Sequence, residues 1–385
     1  METDMTGANS ELGGATVAHC ATPFLPVNGS WIYNQLTQLQ RYRPIVLTQE
    51  ARNSSEFPVA TLYSAETYGP VRKMANRLVR KWTGEYPFYS DILRREGARL
   101  IHAHFGYQGC RCLRAKRVAQ LPLVTSFYGA DASLFPADST WRRRYERLFA
   151  MGELFLVEGS AMAQRLLALG CPESKLVVHH LGVDVEQIHF SERLPSDRVQ
   201  ILICAEFREK KGIAGGIRAI GRALEGLVDV DCRIRIIGEG PERPQIEAAI
   251  AASGLGDRVE LVGRQPYSVV LEELQSSHFL LQPSLTAADG DSEGGAPVIL
   301  LDAQASGLPV ISTDHGDIPE YVLDGESGYL AKEGDVAGLA ELIRRVVLTP
   351  ETWAQLGHRG RRHVEESYSA STQSARLESI YDRFQ

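Results

Sequence analysis

Short apolar runs alternate with longer amphipathic segments along almost all of this chain of 385 residues. The short runs are rich in Val, Ile and Leu, which is typical of buried strands, and the segments between them have the apolar spacing of helices. Strands that are joined through helices pair in parallel, because each connection has to cross the sheet. We therefore predict stacked β-α units in two series. The strands are expected near residues 16–20, 44–48, 99–103, 122–126, 153–157 and 175–179, and then near 199–204, 232–237, 258–262, 278–282, 309–312 and 328–330.

The two series are separated by residues 182–196, a polar stretch without periodicity. Such a stretch is typical of a linker between domains, and the chain is long enough for two hydrophobic cores. We predict two Rossmann-like α/β domains that face each other across a cleft, over residues 1–185 and 197–365, with a final amphipathic segment at 366–385. Ligands of such folds bind beyond the carboxyl ends of the strands, so the cleft is the expected site.

Composition and charge indicate where the protein is expected to reside and what kind of partner it is expected to bind. No apolar run approaches the roughly 20 residues that span a bilayer, and the first residues lack the basic and apolar segments of a secretion signal. We therefore expect a cytoplasmic protein. Its 6 cysteines are scattered without metal-binding spacing, and we expect them to be reduced and structural. The net charge is -7, yet residues 70–150 carry 16 basic against 6 acidic side chains, which favours an anionic partner for that region.

A loop, a helix and a strand follow one another late in the second series. Pro297 suits the first position of a helix and Gly307 suits the residue after its end, so a helix is predicted over 297–306. Gly294 and Gly295 precede this helix, and glycines let a ligand approach the backbone N–H groups closely. Free N–H groups at the positive end of a helix dipole form an anion site that is best suited to phosphate.

Acidic residues stand on either side of this predicted anion site. Glu293 directly precedes the glycines, and Asp302 lies within the predicted helix. A ligand with phosphate between two hydroxyl-rich groups would be held at both ends by such an arrangement, and a nucleotide-sugar has that shape. Asp289 and Asp291 in the same loop also match a pattern that holds divalent metals. Their position beside the phosphate-binding helix argues against a metal there.

The loop resembles the signature of family 4 retaining glycosyltransferases, in the variant of bacterial exopolysaccharide enzymes of the colanic-acid type. That signature has two glutamates with seven residues between them, whereas here Asp302 is the second acid and eight residues intervene. Other landmarks of the family occur in the family's order at residues 101–106, 123–131, 180–184, 209–212 and 236–241. The resemblance implies the GT-B fold, with the acceptor on the N-terminal domain, the nucleotide on the C-terminal domain, and a C-terminal helix that crosses back to the first domain.

The resemblance also implies roles for residues at matching positions. Lys211 would stabilise charge on the departing nucleotide, and Glu293 would meet the donor sugar. The family's usual arginine is replaced by Glu206, and Arg208 is our substitute for it. On the residues alone, Lys211 and Arg208 also fit a solvated turn. The remaining donor-binding residues are expected to be Gly29, Ser30, Tyr128, Asp131, Gly238, Arg264, Gly294, Gly295, Ala296, Pro297 and Asp302.

Three ring-bearing residues of the first domain, Tyr128, His102 and His104, are compared with the family's motifs. Tyr128 replaces the histidine of the family's His-Gly-x-Asp motif, so it keeps hydrogen-bonding capacity but does not change charge near neutral pH. On the residues alone it also fits a core aromatic. His102 and His104 share one strand and are expected to point to opposite faces, with His104 on the acceptor side.

The resemblance implies an enzyme that moves a hexose from a UDP- or GDP-sugar to a hydroxyl of a glycan or lipid-linked glycan. The reaction would retain the anomeric configuration, need no metal or other cofactor, and belong to bacterial exopolysaccharide synthesis. The alternatives are a non-catalytic subunit that binds a nucleotide-sugar or glycan, and an epimerase or phosphorylase of the same fold. No nucleic-acid partner is expected, because the basic stretch lacks interleaved aromatic residues.

Residues 71–82 are basic and amphipathic, with Val71, Met74 and Leu78 at helical spacing. A helix of this kind suits peripheral contact with an anionic membrane, here the inner face of the cell membrane. The alternative is an ordinary surface helix whose apolar residues pack into the core.

Overall fold

A computed structural model describes residues 14–25, 30–55, 57–227 and 230–385, without the side chain of Ser30. The chain divides into two compact units. The first comprises the residues up to Gly182 together with Ala370–Gln385, and the second comprises Val183–Ser369. Among the described helices, none has both the length and the apolar content that crossing a lipid bilayer requires. The 6 cysteines form no disulfide, and all but Cys204 are buried.

The described part of the first unit contains a parallel sheet with the strand order β3-β2-β1-β4-β5-β6-β7. The strands are β1 (Ala15–Cys20), β2 (Tyr42–Thr48), β3 (Leu62–Ser64), β4 (Ala98–His104), β5 (Leu123–Ser126), β6 (Leu154–Val157) and β7 (Leu176–Val178). The central strands are buried along nearly their whole length, as expected for a sheet covered on both faces.

Helices cover this sheet. They are α1 (Ser30–Thr37), α2 (Pro70–Thr83), α3 (Tyr89–Arg95), α4 (Gly106–Ala119), α5 (Ala130–Ser133), α6 (Ser139–Met151) and α7 (Ser160–Ala168), and the last helix of the chain, α15 (Ala370–Tyr381), joins them. The largest core of the unit packs Ile101 and Phe155 of the sheet against Leu113, Tyr145 and Leu148 of the helices.

The second unit repeats the plan with the strand order β10-β9-β8-β11-β12-β13. Its strands are β8 (Arg198–Cys204), β9 (Asp231–Ile237), β10 (Val259–Gly263), β11 (Phe279–Gln282), β12 (Val310–Thr313) and β13 (Gly328–Ala331). Its helices are α8 (Ile213–Leu224), α9 (Arg243–Ala252), α10 (Tyr267–Ser276), α11 (Ile299–Ala305), α12 (Ile318–Tyr321), α13 (Val336–Leu348) and α14 (Trp353–Ser367). All pairings in this sheet are parallel.

Every predicted strand is found, and the structure differs from the predictions in three places. The short strand β3 was not predicted. Residues 183–196 do not form a free linker, because Val183, Val185 and Ile188 are buried in a core of the second unit. The helix predicted over 297–306 is α11, which begins at Ile299. The C-terminal helix belongs to the first unit, as the predicted fold requires.

The strand order places a topological switch point in each sheet. In the first unit the order reverses between β1 and β4, and in the second unit it reverses between β8 and β11. Connections leave such a pair of strands in opposite directions, so the carboxyl ends of the pair border a crevice in which ligands of this fold class bind. The residues that follow these four strands are therefore the first candidates for function.

Candidate functional site

The switch point of the second unit brings Lys211 and Glu293 together. Lys211 ends a short 3-10 turn after β8, and Glu293 lies in the long loop after β11. Lys211 Nζ donates a hydrogen bond to Glu293 Oε2 at 2.7 Å, and the other carboxylate oxygen accepts one from the Ser284 hydroxyl, also at 2.7 Å. Two residues that the sequence predicts for the site, 82 positions apart, thus form one ion pair.

The environment keeps Glu293 ionised although it is buried. Burial alone would favour the neutral acid, but the charges of Lys211 and Lys210 and the hydrogen bonds from Lys211 and Ser284 outweigh it, so the pKa of Glu293 is lowered. The side chains of Lys211 and Glu293 are only 16% and 5% exposed. Removal of one partner from such a pair leaves an uncompensated buried charge, which typically costs about 3–5 kcal/mol.

The backbone of the Glu293 loop is held by a histidine that the sequence analysis missed. The Glu293 N–H donates to His315 Nε2 at 3.2 Å, and His315 Nδ1 lies 2.7 Å from Glu333 Oε2. Because Nε2 accepts, the ring donates from Nδ1, and Glu333 is the acceptor. The Asp317 N–H donates to the Gly295 carbonyl at 3.2 Å. His315 lies two residues after the end of β12, so its place at the carboxyl edge of the sheet was a usable signal.

The amides after Glu293 point to no acceptor. Within the part of the chain that the structure describes, the N–H groups of Gly294, Gly295, Ala296, Val298 and Ile299 donate no hydrogen bond to the protein. Pro297 has no N–H, and its carbonyl accepts from Leu300, so one turn precedes the regular helix. The predicted group of free amides is therefore present, but it belongs to the loop and this turn more than to the helix.

Acidic residues of the same loop are paired with cations. Lys210 Nζ lies 3.1 Å from Asp291 Oδ1 and also donates to the Ser292 carbonyl at 3.0 Å. Asp289 accepts from the Asp291 N–H at 2.9 Å, which closes a local turn. Arg208 lies 3.3 Å from Glu206 and 4.0 Å from Asp291, with about half of its side chain exposed. Of the cations after β8, Lys210 thus holds the loop, and Arg208 faces solvent beside it.

Asp302 lies in the first turn of α11. It is buried, and Oδ1 accepts a hydrogen bond from the Tyr267 hydroxyl at 3.0 Å. Burial raises the pKa of Asp302 to about 7, although the bond from Tyr267 acts in the other direction. Tyr267 was not predicted for the site.

Two further predicted donor residues of this unit have different surroundings. Gly238 has φ 145°, and a Cβ added there would lie 1.9 Å from the Ala205 carbonyl oxygen. Only glycine fits that close approach of the β8 and β9 loops. Arg264 is exposed to solvent after β10.

A cavity of about 350 Å³ opens among the N-terminal ends of α8, α9 and α13. Its lining includes Arg208, Gly212 and Thr313. Among the described residues that the sequence predicts for the site, Arg208 alone lines it, so this cavity does not coincide with the Lys211–Glu293 pair.

The switch point of the first unit holds three buried histidines. His19 is the last residue but one of β1, and His102 and His104 lie on β4, where the centroids of their two rings are 4.4 Å apart. The expectation that His102 and His104 point to opposite faces is wrong. Alternate residues of a strand share one face, because the side-chain period is two. Ligand atoms of the three rings lie within 4.8 Å of one another.

Hydrogen bonds account for most of the ring nitrogens in this cluster. His104 Nε2 lies 3.0 Å from His19 Nδ1, and His104 Nδ1 lies 2.7 Å from the Tyr128 hydroxyl. His102 bridges the hydroxyls of Tyr381 and Ser126. Burial, together with neighbouring histidine rings, lowers the pKa of all three histidines well below the ordinary value. The rings are therefore neutral, and Tyr128 is anchored through its hydroxyl.

Asp131 holds together the two loops around Tyr128. Its carboxylate accepts from the N–H groups of Gly106, Tyr128 and Gly129 at 2.8, 3.1 and 2.9 Å. The Tyr128 ring also packs on Trp31 of α1, with centroids 4.3 Å apart. Helix α1 begins at Ser30, whereas Gly29 lies outside the described residues.

Comparison with known proteins assigns the chain to a family. Residues 32–187 match the family described as Glycosyltransferase Family 4, and residues 184–363 match Glycosyl transferases group 1. The chain is 38% identical over 265 residues to the amylovoran biosynthesis glycosyltransferase AmsK of Erwinia amylovora, which covers 68% of this chain and 62% of AmsK. It is 35% identical over 300 residues to the putative colanic acid biosynthesis glycosyltransferase WcaL of Escherichia coli K12, covering 76% and 71%.

Solved structures confirm the fold. HepE of Anabaena, solved in complex with UDP and glucose, matches 96% of this chain and 100% of its own with a TM-score of 0.76 at 16% identity. Sucrose-phosphate synthase of Thermosynechococcus elongatus matches 96% and 98% with a TM-score of 0.75 at 17% identity. Both likenesses support the pair of Rossmann-like domains of the GT-B fold. By its sequence, the chain belongs to glycosyltransferase family 4.

Proposed function

We propose that this protein transfers a hexose from a nucleoside diphosphate sugar to a hydroxyl of a glycan or lipid-linked glycan, with retention of configuration and without a metal. The proposal rests chiefly on the Lys211–Glu293 pair at 2.7 Å beside the unpaired amides that follow Glu293. Such amides with an adjacent ammonium suit a diphosphate, and a carboxylate at their edge suits sugar hydroxyls. HepE, a structural neighbour solved with UDP and glucose, supports a donor of this class.

The chemistry asked of these residues is charge stabilisation. When the bond between sugar and diphosphate breaks, negative charge builds up on the departing nucleotide. Lys211 and the loop amides are fixed in advance by Glu293, Ser284 and His315, so they would meet that charge without rearranging. Arg208 is half exposed and adds a second cation after the same strand. The departing diphosphate itself would take up the acceptor proton, as the family resemblance implies, so no separate base is assigned.

The pairing of Asp291 supports a metal-independent reaction. A divalent ion at Asp289 and Asp291 would need both carboxylates as ligands, but Asp291 is neutralised by Lys210 at 3.1 Å. A cation this close disfavours a second positive charge on the same carboxylate. On this proposal the charge of the diphosphate is balanced by Lys211 and Arg208.

The relatives suggest the pathway class. The names of AmsK and WcaL connect them with amylovoran and colanic acid biosynthesis, and the chain resembles exopolysaccharide enzymes of the colanic-acid type. We therefore propose a growing exopolysaccharide unit as acceptor. The chain spans 62% of the length of AmsK.

The first test identifies the donor. Thermal unfolding is measured with UDP-, GDP- and ADP-sugars, since a ligand that binds only the folded state raises the melting temperature. The donor that raises it most is then incubated with glycan acceptors, and the products are analysed by mass spectrometry and proton NMR. We expect a lengthened acceptor with the anomeric configuration of the donor. An epimerised or phosphorolysed donor, or binding without any product, would contradict the proposal.

The second test addresses the residues. Lys211→Met should lower kcat/KM by about 10²–10³-fold, because one preorganised cation is lost from the transition state. Glu293→Gln should act in the same direction. The matched control is Lys116→Met, which breaks a pair of the first unit, Lys116 with Glu153 at 2.6 Å, whose lysine is also 16% exposed. If both lysine variants are equally destabilised and equally active, Lys211 has no special role in transfer.

A further inference from the structure

Helix α2 presents its apolar side to solvent. Val71, Met74, Leu78 and Trp82 recur at intervals of three and four residues, so they form one stripe along the helix. They are 85%, 57%, 49% and 84% exposed. The alternative, that these apolar residues pack into the core, is therefore wrong. Contiguous apolar patches on the surface of a soluble protein mark sites of interaction.

The opposite side of α2 attaches it to the protein through polar and cationic groups. Asn76 is buried and donates to Gln49 Oε1 at 2.6 Å, and Arg80 donates to the same oxygen at 3.1 Å. Arg72 lies over the rings of Tyr68 and Phe88 at 4.3 and 4.5 Å. An ordinary surface helix buries its apolar stripe and exposes its polar side. This helix does the reverse.

A second stripe on α2 is cationic. Lys73, Arg77 and Lys81 are exposed at successive intervals of four residues, and within the described residues their side chains form no ion pair. At about 100° per residue, the centre of this stripe lies roughly a quarter turn from that of the apolar stripe. The whole helix contains 5 basic residues and no acidic one.

We propose that α2 lies flat on an anionic phospholipid bilayer, with the apolar stripe among the outer acyl chains and the cationic stripe on the lipid phosphates. A helix of 14 residues is about 21 Å long, which is too short to span a bilayer but enough for several lipid contacts in its plane. Trp82 stands at the end of the helix, and tryptophan is enriched at the boundary between acyl chains and headgroups.

Charge decides between a bilayer and a second copy of the chain. If two copies paired through their apolar stripes, the neighbouring cationic stripes would come together with no acidic residue of α2 to offset them. An anionic surface instead satisfies both stripes at once, and the surrounding residues 70–150, with 16 basic against 6 acidic side chains, add to the attraction. This inference does not depend on the donor site, because no residue of α2 belongs to it.

Vesicle flotation tests the proposal without any measurement of transfer. Wild-type protein should float with vesicles of phosphatidylcholine mixed with phosphatidylglycerol, should float far less with phosphatidylcholine alone, and should be released by added salt. The quadruple variant with serine at Val71, Met74, Leu78 and Trp82, and the triple variant with glutamine at Lys73, Arg77 and Lys81, should each reduce the bound fraction at least about tenfold. Both variants change only exposed residues, and an unchanged melting temperature verifies that they fold.

The matched control removes exposed apolar residues elsewhere. Leu194 and Leu348, which are 63% and 50% exposed, are changed to serine together, and this variant should bind vesicles like wild type. The proposal is overturned if the wild-type protein does not float with anionic vesicles, or if both α2 variants float with them as wild type does. It is also overturned if the serine variant instead converts a dimer to a monomer in sedimentation, since the stripe would then cover a second copy.

Discussion

The hydroxyl of Tyr128 lies 2.7 Å from Nδ1 of His104, at the end of a chain of contacts that continues to His19. Tyr128 stands at the histidine position of the His-Gly-x-Asp motif that the chain resembles, yet its hydroxyl is engaged by the first unit itself. We therefore predict that Tyr128 would contribute to a donor site through its ring rather than through its hydroxyl.

This contact predicts a loss of stability in Tyr128→Phe. The variant leaves Nδ1 of a buried, neutral histidine without its partner, so the free energy of unfolding should fall by about 1–3 kcal/mol. Urea unfolding measures it. Tyr33→Phe is the control, because Tyr33 donates to the Pro58 carbonyl in an exposed position. If both variants are equally stable, the bond between Tyr128 and His104 contributes nothing.

Asp302 predicts a pH dependence of stability. Its pKa rises from an ordinary 3.8 to about 7 in the folded state, so folding favours the protonated form. The associated stability is complete below about pH 4 and is lost as the pH rises to about 7, a change of roughly 4 kcal/mol. Asp302→Asn has no carboxyl group to titrate, so its stability lacks this pH dependence. The free energy of unfolding of the variant minus that of wild type should therefore rise between about pH 4 and 7 and then level off. A constant difference across that range would mean that Asp302 titrates normally.

His315 predicts an effect on donor affinity that a conservative change rescues. His315→Ala removes the acceptor of the Glu293 N–H and frees the loop whose amides are proposed to meet the diphosphate. KM for the donor should rise about tenfold or more, with a smaller change in kcat. His315→Gln restores an acceptor on a side chain of similar reach and should recover much of the affinity. Equal KM values in all three proteins would show that the loop needs no such support.

Gly212 predicts a steric requirement next to Lys211. It has φ 62°, and an added Cβ would lie 1.9 Å from the Pro283 carbonyl oxygen. Gly212→Ala should lower the free energy of unfolding by about 3 kcal/mol or more, because the cost of the left-handed backbone and the cost of the clash with Pro283 add to each other. Gly226→Ala isolates the strain, because Gly226 has φ 76° and nothing lies within 4 Å of the added atom. That control should lose only about 1–2 kcal/mol. Equal losses would exclude the clash.

Much of the fold follows from local pattern, because buried parallel strands such as β8 and β11 are continuous apolar runs that stand out in any sequence. The strand β3 was not predicted because a strand of 3 residues is too short to show a pattern. The role of His315 was not predicted because it arises from a contact with Glu293, 22 positions away in the sequence. For α2 the sequence reveals an apolar stripe at Val71, Met74 and Leu78, but periodicity does not say which side faces the protein. Only the bonds of Asn76 and Arg80 to Gln49 settle that.

Glu378 of α15 accepts hydrogen bonds from the N–H groups of Gln40 and Arg41 at 2.7 and 2.6 Å, and it also pairs with the Arg41 side chain. The first unit is thus completed by residues that are made after the whole of the second unit. All of Val183–Ser369 is synthesised before α15, so the second unit can fold during translation. The first unit cannot complete its fold until α15 has also been made. A fragment that stops at Gly182 would leave the backbone around Arg41 without its carboxylate partner.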